Sequence, residues 1–448
     1  MTTDPTNAVR PARPRRIARP LAAACVVLAI LAVATPRRAR GADAGALDTT
    51  FGRGGHVRLS LTPRGTLGVD VAVQADGRIV VLGMNYQPES GIYLARLLPD
   101  GALDPTFGRR GKLRFTTQSG GVLRGSAMAL QPDGRIVVSA LIERGQRRLR
   151  SVTLVARFLP DGRLDPDFGN AGRVTIAFDG LYVFPNSILV TRAGKIVVGG
   201  TGYPRGRFDP HGGVITLARL HGDGRRDRTF GRNGLLQLGP ALAGGEALVE
   251  QPDGKLVVGG HPGMRRLLDD GSLDASFGDG GVVTTRLSAD DATALAGVTI
   301  DADGRILTVG SNWWVDPDIV LARHLPDGSF DRSFGSDGRV VTDFAGRPDY
   351  GHAVLAAPDG RIVITGSVSV PVDEFDSVGR RLAVLRFLPD GSPDPSFGAN
   401  GIAFTNLGAN EAWGETWGAA VALQGDRLLV CGARTDGRQT TVVVAYGR

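Results

Sequence analysis

"LPDGALDPTFGRRGKL" occupies residues 98–113, and the chain writes the same loop again as "LPDGRLDPDFGNAGRV" (159–174), "LPDGSFDRSFGSDGRV" (325–340) and "LPDGSPDPSFGANGIA" (388–403). The core of the loop, D-x-x-F-G, occurs seven times. Its aspartates include Asp48, Asp104, Asp165, Asp274, Asp331 and Asp394. Its phenylalanines are Phe51, Phe107, Phe168, Phe230, Phe277, Phe334 and Phe397. Successive phenylalanines lie 47 to 63 residues apart. Self-similarity at that period points to a β-propeller, each repeat being one four-stranded blade with its loops.

Each unit reads as four short strands, a to d. In the second unit these are "SAMALQ" (126–131), "RIVVSA" (135–140), "LVARFL" (154–159) and "RVTIAF" (173–178). The "PDG" between a and b is a tight-turn sequence, because proline presets φ and glycine supplies a positive φ. Consecutive β-branched residues in b suit a strand buried on both faces. No segment carries a helical period. The a–b hairpin, strand c and strand d each recur seven times, but out of phase with the chain. A lone d strand, residues 56–61, opens the folded part, and a, b and c close it. The expected fold is therefore an all-β, seven-bladed propeller of four-stranded antiparallel blades. Residues 56–61 complete the C-terminal blade and close the ring, which leaves only short sheet edges.

The repeated loop is then the joint between strands c and d. Its Asp is expected to accept backbone N–H bonds within the loop, its Phe to plug between blades and its Gly to take a conformation other residues resist. Seven aspartates on one theme argue for structure, since catalysis needs a carboxylate once or twice and not once per blade.

The unit "LARLLPDG…LDPTFG" with "QPDGRIVV" resembles the delta-60 repeat family, bacterial β-propeller repeats that are often exported and of undetermined function. More distantly it resembles NHL-type propellers. The resemblance covers about residues 46–446 and implies the fold. It brings no catalytic residues. The sequence departs from it twice: the fourth unit runs almost directly from b into c through "GGHPGMRRLLDDG", and the last hairpin has Gly425-Asp426 in place of the D-G turn.

Residues 1–44 read differently from the rest. Arg10, Arg13, Arg15, Arg16 and Arg19 precede an uncharged stretch, "LAAACVVLAILAVAT" (21–35). A basic segment before a short apolar run is the pattern of a secretory signal, whereas a spanning helix needs about 20 apolar residues. The reading is a signal peptide and short spacer over 1–44, cleaved between Ala34 and Ala44, and a propeller over 45–448. The protein is then exported to the periplasm, cell surface or medium, with no permanent membrane span. The leader also explains the net charge of +7, of which it carries +6. The remainder offers no basic stripe for nucleic acid. Only Cys431 follows the leader, so no intramolecular disulfide forms.

In an antiparallel blade the a–b and c–d turns share one face of the disc and the b–c and d–a loops share the other. The second set varies here, as binding loops on a rigid scaffold do. It collects Trp313 and Trp314, Trp413 and Trp417, and Tyr86, Tyr182, Tyr203 and Tyr350. Aromatic side chains there can stack on sugars or peptide groups. The candidate ligand-binding set is Tyr86, Tyr203, Trp313, Trp314, Tyr350, Trp413 and Trp417. Loop acids on the same side (Asp290, Asp291, Asp316, Asp318, Asp373, Glu374, Asp376 and Glu415) admit a catalytic alternative. The six histidines form no H-x-x-x-H pair, and no phosphate loop or nucleophile elbow occurs. The expectation is a monomeric binding scaffold for a glycan or protein, without cofactor or metal. The alternatives are a hydrolase or lyase acting on polysaccharide and a purely structural envelope protein.

Overall fold

The structure is a computed structural model that describes residues 44–447, apart from 86–89, 117–121, 145–149, 206–211, 242–246, 261–262, 286–293, 312–316, 345, 372–377, 406, 408–414 and 436–437. Twenty-eight strands form seven four-stranded antiparallel sheets, and no helix occurs among the described residues. Blade one spans Leu67–Phe115, two Val122–Ile176, three Leu181–Ala241, four Ala247–Thr284, five Ala294–Thr342 and six Tyr350–Thr405. Within each of these the strand order is a-b-c-d. Blade seven joins Glu415–Gln424, Arg427–Thr435 and Gln439–Gly447 to His56–Leu59 as its outer strand. The closing strand pairs His56 with Val444 and Leu59 with Thr441, two residues shorter than the expected 56–61.

Seven hydrophobic clusters hold the ring, and each straddles two adjacent blades around one repeated phenylalanine. All seven rings are fully buried. The PDG glycine of the next blade explains the fit. Gly162 has φ +88°, and a Cβ on it would lie 2.9 Å from the Phe107 ring, so glycine is required both by its backbone and by its neighbour.

The repeated aspartate does more than shape its loop. Asp165 is 1% exposed. Its Oδ1 accepts the Asp167 N–H at 3.1 Å, and its Oδ2 accepts Nε–H groups from Arg157 at 2.8 Å and Arg135 at 2.9 Å. Burial pushes the carboxyl up, but the Asp167 N–H and the two guanidinium groups outweigh it and hold Asp165 below the usual carboxylate range. Arg157 lies 4.6 Å over the Phe168 ring and donates to the Gly222 carbonyl of the next blade. One Arg, one Asp and one Phe thus form a unit that ties blade to blade. The a–b residue Arg135 and the c–d residue Asp165 meet in it, which puts both sets of turns on one face.

Candidate functional site

The opposite face draws its geometry from the innermost strand. In six blades strand a carries a β-bulge at one fixed register, and in blade four the described pairing begins after that point. The bulge residues are Val69, Ser126, Asn186, Ala296, His352 and Ala419. A bulge re-aims side chains and disrupts pairing locally. It also demands space on strand b. A Cβ on Gly366 would stand 2.1 Å from the Tyr350 carbonyl oxygen, and one on Gly432 would stand 1.9 Å from that of Trp417.

The position one pair above the bulge is Leu67, Arg124, Phe184, Ala294, Tyr350 and Trp417 in blades one, two, three, five, six and seven. These residues share a height around the ring axis. Arg124, Phe184, Tyr350 and Trp417 are large and half-buried. Tyr350 and Trp417 therefore belong to strands, not to the loops expected of them. Tyr203 is corrected further: it sits inside strand b of blade three (Ile196–Pro204) and is 3% exposed. Tyr86, Trp313, Trp314 and Trp413 lie outside the described residues, as do the acids Asp290, Asp291, Asp316, Asp373, Glu374 and Asp376.

Two clusters flank the axis. In blade six the Tyr350 and His352 rings stack 6.5 Å apart, and exposed Arg380 lies 5.0 Å over Tyr350. His352 Nε2 is 3.3 Å from the Ser367 hydroxyl. Burial and the Arg380 charge hold the His352 imidazole down at about 4, so it is neutral at pH 7. Beside it, Asp349 is fully buried and accepts the N–H groups of Ser369 at 3.0 Å and Phe344 at 2.9 Å. Burial, with Asp343 and Asp318 nearby, raises its carboxyl to about 7 against those two bonds.

In blades two and three, Tyr182 donates its hydroxyl to Glu143, and the Arg124 guanidinium lies 3.4 Å from the same carboxylate. Tyr182 packs 4.9 Å from Phe184, and Phe184 packs 6.0 Å from Tyr203. The sequence reading assigns Tyr182, Tyr203, Tyr350 and Trp417 to loops of this face, whereas all four lie in strands, and it does not name Arg124, Phe184, His352 or Arg380. The signal for the bulge was the small residue after the hydrophobic run of strand b, as in "IVITGS" and "LLVCGA".

Among the described residues no group of three or more His, Cys, Asp or Glu is placed to hold a metal. Cys431 is fully buried, and burial together with Asp70 pushes its thiol well above the usual range, so it packs rather than reacts.

Five stretches, 74–107, 131–168, 251–277, 302–334 and 357–397, match the family described as "Domain of unknown function (DUF5122) beta-propeller". No curated protein matches the chain. Three solved structures are similar over most of the chain. A virginiamycin B lyase from Staphylococcus aureus is 11% identical over 87% of this chain and 98% of that one, with a TM-score of 0.49. A protein of unknown function from Dyadobacter fermentans is 11% identical over 88% and 100%, with a TM-score of 0.45. An ulvan lyase of a polysaccharide lyase family is 11% identical over 87% and 96%, also with a TM-score of 0.45.

Proposed function

We propose that the protein is an exported binding propeller that holds an acidic glycan at the axial mouth of its variable face. The observation that carries this reading is the shared register of Arg124, Phe184, Tyr350 and Trp417. Four large, half-buried side chains from four blades stand at one height, where aromatic faces can stack on sugar rings. Arg380 supplies the preference for acid. It is exposed, is held on Tyr350, and has no carboxylate partner among the described residues. A guanidinium so placed suits a uronate carboxylate. An array of acidic and neutral polysaccharides tests this. Wild-type protein should retain an acidic polymer, and Tyr350→Ala and Trp417→Ala should each weaken retention about tenfold or more, equivalent to about 1.4 kcal/mol. Undiminished retention by both variants removes the mouth from the site.

One observation favours a second reading, a lyase acting on the same polymer. His352 is a neutral imidazole beside Tyr350 and Arg380, and a base beside a carboxylate-binding cation is what proton abstraction next to a uronate carboxyl requires. Incubation with the retained polymer distinguishes the two readings: a lyase generates the ultraviolet absorbance of an unsaturated product, and a binding protein does not.

A further inference from the structure

We propose that the c–d loop of blade three binds a phosphomonoester group, on the face opposite the glycan site and independently of it. The seven copies of the loop serve as internal controls. Their backbone is the same. In blade three His221 N donates to Arg225 O at 2.8 Å and Gly224 N to His221 O at 2.9 Å. In blade one Leu98 N donates to Ala102 O at 2.7 Å and Gly101 N to Leu98 O at 2.9 Å. Asp227 also keeps its structural role, accepting the Arg219 Nε–H at 2.8 Å and the Thr229 hydroxyl at 2.6 Å.

What differs is the cover of the loop. Leu98, Pro99, Leu103 and Pro105 of blade one correspond to His221, Gly222, Arg226 and Arg228. Where blade three has Arg226, the other loops have Leu47, Leu103, Leu164, Leu273, Phe330 and Pro393. Where it has Arg228, five have Thr49, Pro105, Pro166, Ala275 and Pro395. The sixth has Arg332, which lies 3.5 Å from Asp337. Arg226 and Arg228 are exposed and form no ion pair among the described residues. They line a shallow concavity of about 680 Å³ together with His221 and Arg225. Six loops adopt this backbone without the two arginines, so the fold does not require them.

The acids of the concavity are already engaged. Asp223 accepts the Arg225 backbone N–H at 2.9 Å and its Nε–H at 2.7 Å. Asp227 shares Lys195 and Arg219 with exposed Asp269. Lys195, Arg219, Arg225, Arg226 and Arg228 thus face three carboxylates, which leaves two positive charges uncompensated. A phosphomonoester carries a charge of about −1.5 to −2 at pH 7, and guanidinium groups bind its oxygens in bidentate pairs. A lone carboxylate or a phosphodiester supplies one charge and matches the excess less well.

Calorimetry with glycerol 3-phosphate and sedimentation with phosphatidic acid vesicles present the same group free and as a lipid headgroup. Galacturonate and phosphatidylglycerol vesicles are the matched controls. At least one phosphomonoester probe should bind about tenfold tighter or more than its control. Binding of glycerol 3-phosphate assigns a soluble ligand, and binding of the vesicles alone assigns a headgroup. Arg226→Leu/Arg228→Pro carries the blade-one residues, and Arg226→Gln/Arg228→Gln keeps long polar side chains. Each pair should weaken phosphomonoester binding about tenfold or more, with denaturant midpoints and retention of acidic polysaccharide unchanged. Equal affinity for probe and control, undiminished binding by either folded variant, or no binding of any phosphomonoester overturns the proposal and leaves the glycan site untouched.

Discussion

At the scale of single residues, the molecule separates those that repeat from those that occur once. Phe168 repeats in every blade and is fully buried between two of them. Phe168→Ala should therefore cost about 3–5 kcal/mol, read as a lowered denaturant midpoint with no change in glycan retention. Asp165→Ala should cost about as much, because it leaves Arg157 buried without its carboxylate. The Phe and Asp were legible from recurrence alone. The partner Arg was equally written, eight residues before each Asp in six blades (Arg96, Arg157, Arg219, Arg266, Arg323 and Arg386), but it lies in strand c, where a charge reads as solvated. His352 occurs once and gives a pH signature. Its folded value of about 4 lies below the ordinary 6.5, so the unfolded chain takes the proton first as pH falls. Its contribution is present above 6.5 and is lost between 6.5 and 4. The melting-temperature advantage of wild type over His352→Gln should shrink across that window. Asp349, raised from 3.8 to about 7, runs the other way: its contribution is present below 3.8 and is lost as pH rises to 7. An advantage over His352→Gln that stays constant from pH 6.5 to 4 would remove the neutral imidazole from the account.

At the scale of strands and loops, the four strands per blade follow from β-branched runs and PDG turns, and the described strands obey that reading. The bulge in strand a did not follow. One extra residue between short apolar runs leaves the alternation nearly intact, and its clearest mark is a glycine on the neighbouring strand. That small shift decides which side chains stand at the axial mouth, so Tyr350 and Trp417 were recognised as residues but misplaced as loops. The ring closure was legible as a strand, yet the structure adds a loop. "DAGALD" (43–48) imitates "PDGALD" (99–104). Gly45 N donates to Gly447 O at 3.1 Å and Gly447 N to Ala46 O at 3.0 Å, as Gly101 and Leu98 N–H groups donate to Leu98 and Ala102 carbonyls in blade one. Gly398 N reaches Ala44 O at 2.7 Å, and Asp48 N reaches Ala445 O at 2.9 Å. The two chain ends therefore meet inside the c–d loop of blade seven. Starting the chain at Thr49 keeps the closing strand but removes these four bonds and the Asp48–Arg427 pair. At about 0.5–1.5 kcal/mol for each hydrogen bond, the loss is on the order of 2–6 kcal/mol. Chemical denaturation of the two forms reads it directly, and equal midpoints would reduce residues 44–48 to a passive tail.

At the scale of the whole molecule, the ring and the proposed leader constrain each other. The basic and apolar stretches of residues 1–35 predict export with cleavage somewhere before the propeller, but sequence alone spreads the site from Ala34 to Ala44, because small residues recur throughout that span. The fold narrows the far end. Ala44 supplies the carbonyl that Gly398 requires, the same bond that Gly335 makes to Asp390 one blade earlier. A cut after Ala44 would remove that carbonyl and loosen the junction of blades six and seven, where Phe397 is buried. The mature chain should therefore begin no later than Ala44, and no earlier than Thr35 if the apolar run is removed with the leader. Removal of the leader also takes away most of the net positive charge, leaving about +1 on the propeller. Any attraction to a polyuronate must then arise locally, from Arg380 at the axial mouth, and not from the field of the whole protein. N-terminal sequencing of protein collected outside the cytoplasm, with the same sample titrated against oligogalacturonate at low and high salt, tests both halves. A start between residues 35 and 44 and a shallow salt dependence are expected. An intact N-terminus on membrane-extracted protein would replace the cleaved leader with an anchor. A steep loss of binding with salt would move the anion contact from one arginine to a broad basic surface.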